Sequence, residues 1–210
     1  MGTDAPGRVR EAGAAALSYV QQGVIVQDEF AKFVTIGTTG QVELFTPVSD
    51  DQRIDVEAQI KRRFMIPLAI QVKGSSVLQR NHTLLKITFD VSDEAWVSHD
   101  LFYYFFAHLN PAWLGVVDPV FFAPSAVVHR HADPKRRANG HRQIEFVASI
   151  EPRSRDQWTP YRLSQFDLGT RVRGVLEQAR RRRVQAAAIP SPLFRVPGVM
   201  WGGIAPPGGR

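Results

Sequence analysis

Two neighbouring runs, Ile54 to Ile60 and Leu68 to Lys73, alternate between apolar and polar residues with a period of two. In the first, Ile54, Val56, Ala58 and Ile60 share one face, and Asp55, Glu57 and Gln59 share the other. In the second, Leu68, Ile70 and Val72 are apolar, while Gln71 and Lys73 lie opposite. This is the pattern of half-buried strands. Paired as an antiparallel hairpin turning at Arg63 or Phe64, the runs oppose residues whose numbers sum to 126 or 128, so that Asp55 falls beside Gln71 or Lys73. A carboxylate, an amide oxygen and an ammonium on one side of a small sheet suit a divalent metal held against a phosphate. The competing explanation is a polar surface hairpin with an ordinary cross-strand pair between Asp55 and Lys73.

The same patterning organises the rest of the chain. Residues 1–7 read as a disordered N-terminus, and a helix is expected from Arg8. Val26, Phe30, Phe33 and Val34 recur at helical spacing, extending helix to about Thr35 with Gly37 as its stop and Glu29 on its surface. Gln41 to Val48 reads as a strand that Pro47 confines to an edge or an end. Leu84 to Val91 alternates again and is expected to extend the same sheet. Phenylalanine, tyrosine and leucine fill nearly every position from Leu101 to Leu109, the mark of either a buried helix or a central strand. A strand after Pro119, a short helix from Ser125 to His131, a loop or hairpin through Pro134 and Asn139-Gly140, and a strand from Gln143 to Ile150 follow. The last regular element is a helix from Asp167 to Arg183, with Asp167 as its cap and Leu168, Val172, Val175, Leu176 and Ala179 as its apolar stripe.

Composition narrows the picture. Residues 8–188 fit one main domain, and the 189–210 tail is rich in proline and glycine but carries Leu193, Phe194, Met200 and Trp201. That tail is either a docking peptide for a protein partner or a strap on its own domain. The chain has no cysteine, which removes disulfides and thiolate metal sites from consideration. No apolar run is long enough to span a bilayer and no signal-peptide pattern is read, so a soluble, cytoplasmic protein without a membrane partner is expected.

Charge changes the picture more. Nine arginines against Asp156, Asp167 and Glu177 give +6 between Arg153 and Arg183. Arg130, Lys135, Arg136, Arg137 and Arg142 against Asp133 give +4 between His129 and Arg142. Clustered arginine favours a polyanion through bidentate phosphate contacts and counterion release, and the second cluster is the expected nucleic-acid contact. A solvated basic face or a patch for an acidic protein explains the charge equally simply. His129 and His131 are spaced to ligate a metal, but phosphate contact within the basic loop accounts for them better.

The order helix, strand, strand beginning in Ile54-Asp55, turn, and strand ending in Gln71-Val72-Lys73 resembles the PD-(D/E)XK nuclease superfamily. Within it, Asp50-Asp51-Gln52-Arg53-Ile54-Asp55 followed by Ile70-Gln71-Val72-Lys73-Gly74-Ser75 resembles poorly characterised bacterial endonuclease-like domains that carry glutamine in place of the third-strand acid. The resemblance implies an α/β fold with a restriction-endonuclease-like core, a central mixed sheet flanked by helices. It further implies a Mg2+- or Mn2+-dependent nuclease acting on DNA, in some relatives as a homodimer. Asp55, Gln71 and the backbone carbonyl of Val72 would ligate the metal, Lys73 would activate the attacking water, and Glu29 would match an acid on the preceding helix. The neutral Gln71 also fits a module that binds DNA or a protein without cutting.

Overall fold

The computed structural model describes residues 17–47, 54–63, 67–93, 95–131, 135–136 and 140–182. Helix α1 (Tyr19–Gly37) starts at Ser18. The Ser18 side chain accepts from the Gln21 N–H, and the Gln21 side chain accepts from the Ser18 N–H, a capping box. Helix α1 therefore starts at this serine, after non-helical Leu17, and residues 8–16, where the sequence pattern starts the helix, lie outside the described residues. Strands β1 (Val42–Phe45), β2 (Val56–Ile60) and β3 (Leu68–Ser75) follow. Val56 opposes Ile70 and Ala58 opposes Leu68, antiparallel, which is the 126 register, one of the two that the alternation allows. The first strand ends at Phe45, short of Pro47, as a residue without an N–H requires.

Beyond these come β4 (Leu78–Gln79), β5 (Leu84–Ser92), β6 (Phe102–Asn110), β7 (Gly115–Pro124), α2 (Ser125–His131), β8 (Lys135–Arg136), β9 (His141–Ser149), β10 (Arg162–Leu163) and α3 (Leu168–Arg181). The order β1-β2-β3-β6-β7-β10 forms one mixed sheet, in which β3 and β6 run parallel and the other neighbours antiparallel. The order β4-β5-β9-β8 forms a second. The aromatic segment is thus a central strand. Its Phe105, Ala107 and Leu109 face α1 and α3, while Phe102, Tyr104 and Phe106 face the second sheet.

Here the expectation for Leu84 to Val91 is corrected: it does not extend the first sheet but belongs to the second. The reason is coverage. With apolar side chains on both faces, β6 needs an apolar layer on each, and β5 presents Leu85, Ile87, Phe89 and Val91 from one face only. Asp167 is corrected too. Its side chain makes no cap bond to α3; a single 3-10 turn, Gln165–Asp167, leads in, with the Ser164 hydroxyl accepting from the Phe166 N–H.

Gly37 has a different role from the one expected. It is the last residue of α1, whereas Thr39 and Gly40 carry the positive φ angles that follow. What Gly37 permits is contact with α3: a Cβ on Gly169 would lie 2.7 Å from the Gly37 carbonyl carbon. The two helices meet backbone to backbone over the sheet. Gly74 likewise makes room between β3 and α1, where a Cβ would lie 2.5 Å from a Val26 methyl.

Helix α2 is fastened to β6 through His129. Its Nδ1 lies 2.7 Å from the Ser98 hydroxyl and its Nε2 lies 2.9 Å from the Tyr104 hydroxyl, while Trp96 stacks on the ring at 3.9 Å. Burial, aided by the positive charge of Arg142, lowers its pKa to about 4. His108 is lowered in the same direction by burial.

Two outcomes follow from this packing. Gly169→Ala should destabilise the protein by about 1–3 kcal/mol through overpacking, whereas Gly174→Ala on the open face of α3 should stabilise it by about 0.5–1 kcal/mol, both read from urea midpoints. Equal effects of the two would contradict the close helix contact. The folded state binds fewer protons than the unfolded chain between the His129 value of about 4 and the ordinary 6.5. Stability is therefore full above pH 6.5 and falls as pH drops toward 4, by on the order of 2 kcal/mol from this residue. Imidazole titration by NMR should place His129 near the lower value, and a midpoint near 6.5 would contradict its buried, neutral state.

Candidate active site

The β2–β3 ladder ends at Val56, and Asp55 stands just beyond it. Its N–H still donates to the Ile70 carbonyl at 3.0 Å, but its side chain turns across to β3. Oδ2 accepts from the Val72 N–H at 2.6 Å and lies 3.5 Å from the Lys73 ammonium. The carboxylate thus satisfies a strand N–H for which β2 supplies no carbonyl partner. The N–H and C=O of one strand residue project to the same side, so the Val72 carbonyl is also directed past the end of β2.

Each neighbour is held by packing. Leu68, Ile70 and Val72 bury themselves against α1, which turns Gln71 and Lys73 to the other face. Gln71 is buried, in register with Tyr104 of β6. Lys73 is in register with Phe106, and its ammonium sits 5.8 Å from the centre of the Phe89 ring in β5. Asp55 and Lys73 remain partly open to solvent. The structure therefore brings Asp55, Gln71, Val72 and Lys73 together on adjacent strands.

Glu29 is placed differently. Its carboxylate pairs with Lys32 one turn on. The α1 side chain that reaches the hairpin is Gln27, whose Nε2 donates to the Asp55 carbonyl at 3.1 Å. Residues 27 and 29 diverge by about 200° around a helix, so they flank opposite sides of the buried stripe. Gln27 escaped the sequence reading because its neighbours Asp28 and Glu29 carry the charge. The available signal was its position beside Val26 on the face that meets β3. Among the described residues, no group of three or more histidines, aspartates and glutamates is arranged to hold a metal ion.

The basic residues divide sharply. Arg142 donates to Asp93 at 2.7 Å and lies over the Trp96 ring at 4.8 Å, so it braces the loop behind His129. Arg162 donates to the carbonyls of Glu151 and Ser149 and lies over Phe121. Arg130 is exposed on α2; Lys135 and Arg136 lie on β8, paired with Gln143 and Arg142; Arg137 is outside the described residues. His129 is taken up by Ser98 and Tyr104, and the exposed His131 meets Trp158 edge-on, so the two do not form a ligand pair. On α3, Arg171, Arg173, Arg180 and Arg181 are exposed, as is Arg182 just past its end.

No family model and no curated protein matches the chain. Among solved structures it is similar to a bacterial homing endonuclease, I-Ssp6803I, at 12% sequence identity and a TM-score of 0.51, over 80% of this chain and 100% of that one. Among the described residues no helix is long and apolar enough to cross a membrane. The likeness bears on the fold alone, and on that point it agrees with the architecture described above, a mixed sheet with helices α1 and α3 packed on one face, similar to a restriction-endonuclease-like fold.

Proposed function

We propose that the chain is a metal-dependent nuclease that hydrolyses DNA phosphodiester bonds, with Asp55, Gln71, Val72 and Lys73 as its site. The observation that carries this reading is the convergence at the end of β2 of the Asp55 carboxylate, the Val72 main chain and the Lys73 ammonium. The donors are hard oxygens: one carboxylate, the Gln71 amide and the Val72 carbonyl. That set fits Mg2+ or Mn2+, which accept few protein ligands and keep several waters. Such an ion supplies Lewis-acid polarisation of a phosphoryl oxygen and lowers the pKa of a bound water.

The chain's own residues do the rest. Asp55 is fixed on both sides, by Gln27 at its carbonyl and by Val72 at its carboxylate. It in turn holds Lys73, a compact charge placed to stabilise the phosphate in the transition state and to orient the attacking water. Phe89 restricts the lysine from the second sheet. Glu29 lies outside this set in our reading, engaged with Lys32.

A second reading is motivated by Gln71, which replaces a negative ligand with a neutral one and leaves Asp55 as the sole acid of the set. It is a nuclease-like module that binds DNA or a protein partner without cutting. The two readings separate in one assay, incubation of plasmid and branched DNA with Mg2+, Mn2+ or chelator. As a nuclease, the protein should cut with metal, and Asp55→Ala and Lys73→Ala should each lose at least about 100-fold in rate. Gln71→Glu should lower the metal concentration needed for half-maximal cutting. Salt-sensitive DNA binding in chelator with no cleavage under any metal would favour the silent module.

A further inference from the structure

The face of the hairpin that carries Asp55 continues outward into a cleft. Alternation along β2 sets Glu57 and Gln59 on the same face as Asp55, and pairing with β1 sets Phe45 opposite Glu57. Phe45, Thr46, Pro47, Glu57, Gln59 and Pro67 line a cleft of about 380 Å3 there. This lies within the roughly 300–1,000 Å3 of sites that take small organic groups. The second sheet packs on β6 and β7 and leaves this end of the first sheet open, so that Phe45 is 45% exposed.

The lining selects its occupant. Phe45, Pro47 and Pro67 offer flat apolar walls, Glu57 offers a carboxylate that accepts two hydrogen bonds side by side, and Gln59 offers an amide that can donate. A carboxylate repels phosphate, so the DNA backbone is not what enters. Two residues of strand separate Glu57 from Asp55, about 6.6 Å, comparable with the reach from a phosphate to the base of its own nucleotide.

We propose that this cleft receives an unpaired guanine from the nucleotide beside the phosphate held at Asp55, an inference that rests on the nuclease reading. Guanine alone among the DNA bases presents two adjacent N–H donors, N1–H and N2–H, next to an acceptor, O6. Glu57 accepts from both donors, Gln59 donates to O6, and Phe45 stacks on the ring. Cytosine and adenine supply one such donor from their exocyclic amines, and thymine's single N–H is flanked by carbonyls that the carboxylate repels.

The test uses the full chain with Ca2+ in place of Mg2+ or Mn2+, an ion that takes the same oxygen ligands and is a poor Lewis acid for hydrolysis, so that binding is read without cleavage. Fluorescence anisotropy would follow single-stranded thymidine oligonucleotides carrying one central guanine, adenine, cytosine or thymine. The guanine oligonucleotide should bind at least about tenfold more tightly than the thymine one. Glu57→Gln should remove that preference while keeping the residual affinity, and Phe45→Ala should weaken all four about tenfold by loss of stacking. Both side chains are partly open to solvent, and matched circular dichroism would confirm that the variants fold. Equal affinity for guanine and thymine, or a preference that survives Glu57→Gln, overturns the cleft proposal and leaves the nuclease reading standing. Absence of any binding overturns the cleft proposal, while the nuclease reading stands or falls separately on the cleavage assay with Mg2+ or Mn2+.

Discussion

One strand with apolar side chains on both faces dictates the layering of this protein. From Phe102 to Leu109, β6 offers no face that water would solvate cheaply, so it must lie inside a sheet that is itself covered on both sides. Helices α1 and α3 cover one side through Phe30, Phe33, Val172 and Leu176. The second sheet covers the other through Ile87, Ile144 and Phe146, with Phe146 stacked on Phe106 at 3.9 Å. Each fully buried Phe, Leu or Val contributes about 1.5–3 kcal/mol, so this strand and its covers dominate the stability of the fold. Everything at the candidate site is positioned relative to it, because β3, which carries Gln71 and Lys73, is its parallel neighbour.

The site itself arises where a ladder runs out. A strand that stops one residue early leaves its neighbour with an unsatisfied N–H, and a buried N–H without a partner is costly. Asp55 meets that need with its carboxylate, which fixes the side chain in the position where Lys73 can approach it. The same device that completes the hydrogen bonding thus directs a carboxylate, a carbonyl and an ammonium to one spot. Further along the same face, where the second sheet no longer reaches, the sheet surface opens between Phe45 and Glu57. Chemistry and access are both set by where coverage ends.

The positive charge of the chain serves two different purposes. Arg142 and Arg162 spend their guanidinium groups on Asp93 and on carbonyls within the fold, each with an aromatic ring beneath it. Both act as clamps, Arg142 behind α2 and Arg162 between the turn after β9 and β7. Among the described residues, Arg130 of α2, Arg153 and Arg155 after β9, and Arg171, Arg180 and Arg181 of α3 are exposed cations that a polyanion could reach, while Arg173 pairs with Glu177. A net charge summed over a segment does not distinguish these roles, because a planar group with five donors is equally suited to bracing a loop and to gripping a phosphate.

Alternation was enough to read the hairpin and to bring Asp55 beside Gln71 and Lys73, because a slip of one residue would expose every apolar side chain; the choice between the 126 and 128 registers, a slip of two, was made by the structure. Helical spacing was enough to place α3 and the body of α1, but not the start of α1, which the capping box at Ser18 sets. Other features are settled only by long-range packing. Strand β5 reads the same whether it lengthens the first sheet or covers it, and the demand of β6 for a second apolar layer decides between them. Gly37 reads as a helix stop and proves to be a contact with Gly169, since the close approach of two helices leaves no mark on either one alone. Gln27 looks like a solvent-facing residue until α1 is laid on β3 and brings its amide to the Asp55 carbonyl. Local pattern fixes which way each side chain turns, and only the tertiary structure decides what it meets there, because contacts between distant segments are set by how the layers close around β6.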